Sequence, residues 1–538
     1  MSFAAWYYPF FLLLVVAVFW LLPRRCRLAF VLPASFVFYG FWDLRFGALL
    51  IAAAVSDYLC TSAMEGAAPR RTAALSISLM PAGWLVAASG FRPVESRYIA
   101  LVLAACLAFF ALYSLQFRLT QETRRRFLLY LAVGVNLGIL LFFKYANWFS
   151  RGLHDLLQAL GVSADPVVLN ILLPVGISFH TFQSIAYVVD NFDGRCAAEK
   201  SFWRVLCMIM FFPQLVAGPI ERAGRLLPQL KFDAAFSWER VAWGAHLLFV
   251  GYFLKLFVAD NCALVADAFF NGVHRGEAFD ARWAFAGVVA YAAQIYGDFA
   301  GYSYIARGSA AFLGVSLTRN FELPYLSRSP GEFWSRWHIS LSSWFRDYVF
   351  FPLSLSSTLR RILALPFGKT VNRSLFASAG LILTMLLAGA WHGAAWNFVA
   401  FGAFHGVLQA LWAGVPALKA FSASPKMPQR LASAMLTFAL VCGGWVLFRC
   451  ARLGEAVTVL AAMSGLSPQG QAVPSGMMLW LAIHILPLVL LTYLVRRGRE
   501  EADIIAQPRI VLSVLYLFMA LLLFSSDAGR TQFIYFQF

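Results

Sequence analysis

The sequence predicts an all-α polytopic integral membrane protein, with about 11 or more transmembrane helices plus re-entrant or broken helices. Three observations predict it. The 538 residues are 61% hydrophobic and 13% charged, with a mean hydropathy of +0.71, whereas soluble chains carry about 25% charged residues. Apolar runs close to the roughly 20 residues that cross a bilayer recur from end to end. Basic residues cluster beside alternate runs instead of spreading evenly, which is the positive-inside pattern.

Taken in order, the first run is Phe10–Leu22, followed by Arg24, Arg25 and Arg27. A signal peptide carries its basic residues before the apolar core, so this run reads as a retained span. Arg70 and Arg71 follow the third run. Arg118, Arg124, Arg125 and Arg126 follow the fifth, Arg97–Phe117. The intervening loops, around Asp43–Arg45 and Ser150–Pro166, are short or less basic. The arginines therefore face the cytoplasm and the N-terminus lies outside. Further spans are expected at Phe127–Phe149, Val241–Val258, Phe376–Ala390, Leu431–Phe448, Met478–Leu494 and Ile510–Phe524. Arg496, Arg497 and Arg499 mark a late inside loop, which sends Ser525–Phe538 outside.

These runs divide into three zones. Residues 1–126 are clean N-terminal spans, and residues 417–538 are clean C-terminal spans around an outside loop at Arg449–Ser475. In residues 127–416 Gly, Pro, Trp, His, Asn and Asp interrupt the apolar runs. Irregular backbone at membrane depth survives only where protein buries it or where it lines a wet cavity, so the site is to be sought there. The net charge of +17 serves topology, since no basic cluster has the polar, foldable context of a nucleic-acid module. The 8 cysteines form no CxxC pair, and neither a metal site nor a redox motif is indicated.

His392 is the sharpest candidate. It sits in Leu387-Ala388-Gly389-Ala390-Trp391-His392-Gly393-Ala394-Ala395-Trp396, an ionisable group inside an apolar segment. A full charge at that depth costs roughly 2.5–3.5 kcal/mol, which makes such a residue a functional-site hypothesis by default. Imidazole is also the side chain best poised to take and return a proton near neutral pH. His338 lies in Glu332-Phe333-Trp334-Ser335-Arg336-Trp337-His338, where Glu332 and Arg336 are four apart and able to pair on a helix. The same stretch also suits a membrane-surface helix whose tryptophans join an aromatic belt. Asp298, between Gly297 and Gly301, has three open readings: tuning a histidine, lining a hydrophilic path, or accepting backbone hydrogen bonds at a helix break. Asp298, Trp391, Asn397, Trp337 and Arg336 are candidates for lining the substrate site.

The remaining motifs are weaker. Pro174–Gln183 and Phe212–Arg222 read as re-entrant or kinked pieces whose glycines and prolines serve backbone geometry. His154 and His274 fall in expected loops, His246 and His484 lie singly in apolar runs, and His180 is at a break. Each is read as a histidine hydrogen-bonded in place. His405, 13 residues after His392, is not assigned a catalytic role. There is no HExxH helix, GxSxG elbow, P-loop or GxGxxG fingerprint. An intramembrane histidine without a partner nucleophile suits proton abstraction from a hydroxyl that then attacks an activated acyl group. A proton-coupled transporter or flippase for a glycan or lipid, using His392 and Asp298, is the alternative. The sequence shows no internal repeat of the kind transporters often carry.

The sequence resembles the membrane-bound O-acyltransferase family (MBOAT), and within it the bacterial branch of alginate O-acetyltransferases and D-alanine transfer proteins. Four blocks carry the resemblance: Lys144-Tyr145-Ala146-Asn147, Leu173–Phe182 with Phe211–Leu230, Tyr296–Leu353, and Trp391–Phe398. The ending Phe533-Ile534-Tyr535-Phe536-Gln537-Phe538 is also similar. The resemblance implies a funnel-shaped bundle with a thin central layer, reached by donor from one side and acceptor from the other. It implies that His392 is the general base and that His338 assists in donor placement or proton handling. It further implies an acyl-CoA donor, acetyl-CoA above all, with no bound cofactor or metal. The acceptor would be a cell-surface polysaccharide, alginate-like or cellulose-like, reached directly or through a periplasmic acetyltransferase partner. The setting would be a bacterial inner membrane, with both termini periplasmic.

Two departures stand out. The branch's Gly-Gly-Asn-Arg turn is replaced by Ser354-Leu355-Ser356-Ser357-Thr358-Leu359-Arg360, and its Gly-Tyr-Ser-Asp reads Gly301-Tyr302-Ser303-Tyr304.

Overall fold

The computed structural model describes residues 2–90, 94–162, 172–216, 218–357, 373–466, 470–496 and 509–524, together with positions 165, 168, 169, 361 and 533. Among them the regular structure is helical, and β pairing is limited to one isolated bridge between Phe279 and Gln471. Among the described residues six helices are long and apolar enough to cross a membrane: Arg24–Met64, Arg71–Ser89, Ser96–Arg118, Gln121–Ala159, Trp238–His274 and Met427–Arg449. A seventh arises if Trp396–Gly414 and Pro416–Ala423, bent by 88°, form one broken span. Shorter apolar helices occur at Tyr8–Leu21, Phe376–His392, Leu453–Met463, Met477–Leu490 and Leu512–Phe524.

Every apolar run expected from the sequence is helical, and several helices extend past the expected ends. Phe127–Phe149 lies inside a continuous stretch from Gln121 to Ala159, with a widened turn at Leu141–Tyr145. Two expected loops are corrected. Ser150–Pro166 begins as helix, because Ala146–Ala159 continues through His154. Arg449–Ser475 contains the helix Leu453–Met463, capped by Glu455 accepting from the Arg452 amide. Arg497 and Arg499 of the late inside loop, and the ending Ile534–Phe538, lie outside the described residues.

The chain forms two compact units. The first comprises residues 1–244 and 306–318, the second residues 245–305 and 319–538. In the first, Arg27 is turned inward, donating to the carbonyls of Phe232 and Ala234 beneath the Trp20 ring. The two blocks expected to be kinked meet there, where Gln214 donates to Gln183. The second unit holds every residue proposed from the sequence as a site candidate.

Its central feature is the hairpin of Arg373–His392 and Trp396–Gly414. The two helices pack backbone to backbone. A Cβ on Gly389 would lie 2.3 Å from the Phe398 carbonyl oxygen, and one on Gly402 would lie 2.3 Å from that of Met385. Within a bilayer, where lipid offers as much apolar contact as another helix, such close approach is what drives association. His392 is the last residue of the first arm, at the helix end where free carbonyls gather.

Candidate active site

The structure brings His338 and His392 near one indole, that of Trp391. The Trp391 ring lies 6.2 Å from the His338 ring and 4.9 Å from that of His392, centroid to centroid. Both imidazoles are buried, His338 completely. His392 is edged by Phe448 at 5.0 Å and Phe401 at 5.9 Å, and His338 by Phe299 at 4.5 Å. An aromatic lining of this kind excludes bulk water and strengthens any polar interaction formed inside it.

His338 occupies a break, not the helix the sequence suggested. The helix Pro330–Arg336 ends before it and Ile339–Phe345 begins after it. At the break His338 adopts a left-handed backbone, φ 43°, a conformation that costs a non-glycine residue on the order of 1–3 kcal/mol and persists only where its surroundings enforce it. Asn320 supplies that enforcement. Its carbonyl accepts from the Ile339 amide at 2.9 Å and its side-chain oxygen from the Ser340 amide at 3.1 Å. Its amide nitrogen donates to Ser303 at 3.2 Å.

The flanking residues divide by role. Arg336 pairs with Glu332 at 2.7 Å, as the spacing predicts. Trp337 is 1% exposed, enclosed by Phe321, Phe333, Tyr325 and Trp445 at ring distances from 4.8 to 6.1 Å. It packs the support behind His338. Asn397 opens the second arm of the hairpin and donates to the Cys450 carbonyl at 3.0 Å, tying the turn after His392 to the end of Met427–Arg449.

Asp298 lies inside the unbroken 32-residue helix Ala281–Phe312, so the helix-break reading is corrected. Its carboxylate pairs with Lys255 at 2.8 Å, and Lys255 also pairs with Asp260 at 2.7 Å. Sequence reasoning passed over Lys255 and Asp260. The signal was present: a lysine inside the run Val241–Val258, with an aspartate five residues later, is an ionisable pair at membrane depth.

His405, also completely buried, accepts from the Trp334 indole at 3.3 Å, meets Phe401 edge-on at 4.7 Å and stacks with Phe333 at 6.2 Å. His246 bonds to Tyr516, His484 to the Trp480 carbonyl and His274 to Glu455, in keeping with histidines hydrogen-bonded in place, whereas His180 is buried inside the helix Ile177–Phe192 with neither ring nitrogen hydrogen-bonded among the described residues. A cavity of about 320 Å³ adjoins the site, bordered by Trp334, Ile339, Ser342, Arg346, Thr384 and Ala388. It reaches the residue after His338 and comes within one turn of His392. Among the described residues no three His, Cys, Asp or Glu side chains converge as a metal site would require.

Comparison with known proteins identifies the family. Residues 199–454 match the sequence profile of the membrane-bound O-acyltransferase family. The chain is 33% identical to the "Probable alginate O-acetylase AlgI" of Azotobacter vinelandii over 455 residues, covering 84% of this chain and 76% of that protein. It is 30% identical to the peptidoglycan O-acetyltransferase of Helicobacter pylori, over 72% of this chain and 75% of that one. It is 29% identical to the teichoic acid D-alanyltransferase of Bacillus subtilis, over 44% and 58%. With this likeness, its apolar spans and its buried histidine pair, the chain belongs to the membrane-bound O-acyltransferase family, multi-pass membrane enzymes that transfer acyl groups.

Proposed function

We propose that the protein transfers acetyl from cytoplasmic acetyl-CoA towards an exported or cell-surface polysaccharide, directly or through a periplasmic acetyltransferase partner, across a bacterial inner membrane. The observation that carries this reading is the pair of buried imidazoles that both approach Trp391. The relatives support it by their names, which give alginate, peptidoglycan and teichoic acid as what they act on.

In the proposed reaction His392 accepts the proton of the acceptor hydroxyl as its oxygen attacks the thioester carbon. A carbon–oxygen bond forms and the carbon–sulfur bond breaks. The proton held on His392 passes to the departing thiolate, so imidazole and free thiol are restored. His338 assists donor placement or proton handling. The cavity of about 320 Å³ bordered by Ile339, the residue after His338, and by Ala388 on the helix that ends at His392 falls within the range of small-ligand pockets, and we assign it to the donor's reactive arm. Arg346 at its border suits a donor phosphate.

The 127–416 zone is proposed as the catalytic core, since both histidines and the cavity fall within it. The full number of spans, about 11 or more, and the periplasmic placement of both termini belong to this proposal as well. The transport alternative fares less well. It needs an Asp298 that loads and releases protons, whereas Asp298 is ion-paired with Lys255 in a buried cluster.

Membranes carrying the protein, its co-expressed partner and a radiolabelled acetyl donor test the reading. Label should reach polymer or partner. Absence of transfer from any short acyl donor, with the partner present, would return the weight to transport.

A further inference from the structure

We propose that Lys255, with Asp260 and Asp298, is a positioning residue for His338: a buried ion cluster that fixes the helix on which the His338 turn is built. The inference rests on the reading that His338 serves acyl transfer. Lys255 is completely buried and holds Asp260 at 2.7 Å and Asp298 at 2.8 Å. Charges taken out of water this completely persist only when geometry pairs them closely. Removing one partner strands the others, so the arrangement tolerates little sliding.

The backbone is shaped to allow the contact. Lys255 lies in a widened turn at Phe253–Ala259, inside an otherwise α-helical stretch, a feature frequent at functional sites. Opposite it, the helix Ala281–Phe312 approaches without side chains between. A Cβ on Gly301 would lie 2.8 Å from the Gly251 carbonyl oxygen, and one on Gly297 would lie 2.9 Å from that of Leu254. The glycines flanking Asp298 therefore let the helices close until one ammonium reaches both carboxylates.

From Asp298 the same helix makes two contacts to the His338 turn. Phe299, the next residue, sets its ring edge against the imidazole at 4.5 Å. Ser303 accepts from Asn320 at 3.2 Å, and Asn320 in turn holds the amides of Ile339 and Ser340 on the far side of His338. A left-handed histidine backbone needs such enforcement. The ion cluster is the fixed end of this chain of contacts, so a shift or rotation of the helix would carry both supports with it.

The test is a double-mutant cycle joined to a chemical probe. Lys255→Met should lower kcat roughly 10²-fold, the scale of an ångström misplacement at a reacting centre, and Lys255→Arg should recover part of it. In a His338→Ala background the same substitution should change turnover by no more than about twofold, because the residue it positions is gone. Carbethoxylation by diethyl pyrocarbonate, read peptide by peptide, should speed up at His338 and stay unchanged at the equally buried His405. Equal proportional losses in both backgrounds, or parallel labelling of the two histidines, would overturn the proposal by making Lys255 a general fold residue. If Lys255→Met does not insert, Asp260→Asn keeps the Lys255–Asp298 pair and should move His338 labelling in the same direction. No change there also overturns it. Should the wild-type protein transfer no acyl group, the functional reading falls, while His338 labelling still decides the link to Lys255.

Discussion

At the scale of single residues, Trp391 is the ring that both imidazoles approach, and its indole N–H only donates, so it does not compete with either histidine as base. His392→Ala is expected to lower transfer at least 10²–10⁴-fold, the share a positioned base supplies, with expression and membrane insertion near wild type. Radiolabel counting and detergent-extracted yield measure the two. His338→Ala should lose much but not all activity, and unchanged turnover would return His338 to a packing role. Both histidines were legible in the sequence because a titratable group in an apolar run is conspicuous. Their meeting was not, since 54 residues separate them and only the fold closes that gap. Lys255 shows the opposite limit. Lys255 and Asp260 mark an ionisable pair in the sequence, but nothing there names the second carboxylate, Asp298, which comes from another helix.

Among the elements, the hairpin of Arg373–His392 and Trp396–Gly414 is the one whose disruption should matter most. Gly389→Leu drives a side chain into the Phe398 carbonyl, which lies 2.3 Å from where the first carbon would stand. Overpacking of this kind costs about 1–3 kcal/mol. A lower melting temperature, by fluorescence-detected size exclusion, and reduced acyl transfer are expected together. Gly152→Leu, where a Cβ meets nothing within 4 Å, should change neither. The helices themselves were legible run by run, because apolar length decides a span in lipid. Their breaks were less so. The sequence placed Asp298 at a possible interruption and His338 on a helix, and the structure reverses both. Glycines beside Asp298 mark close packing, whereas the break at His338 is imposed by Asn320 from outside the segment.

For the whole molecule, hydropathy identified a multi-pass helical membrane protein, and the order of the motif blocks identified the family. The division into compact units was not legible, because residues 245–305 join residues 319–538 across an intervening segment. Orientation is open to direct test. With both termini periplasmic, a C-terminal alkaline phosphatase fusion should be active and a C-terminal green fluorescent protein fusion dark. The reverse pair of results would invert the topology and with it the side from which acetyl-CoA is proposed to enter.

The central claim is acetyl transfer with His392 as its base, and one measurement tests it most directly. Membranes expressing wild type or His392→Ala, with a periplasmic partner present, are given radiolabelled acetyl-CoA. Label should accumulate on polymer or partner with the wild type and fall to background with the variant. Full labelling by His392→Ala would contradict the account.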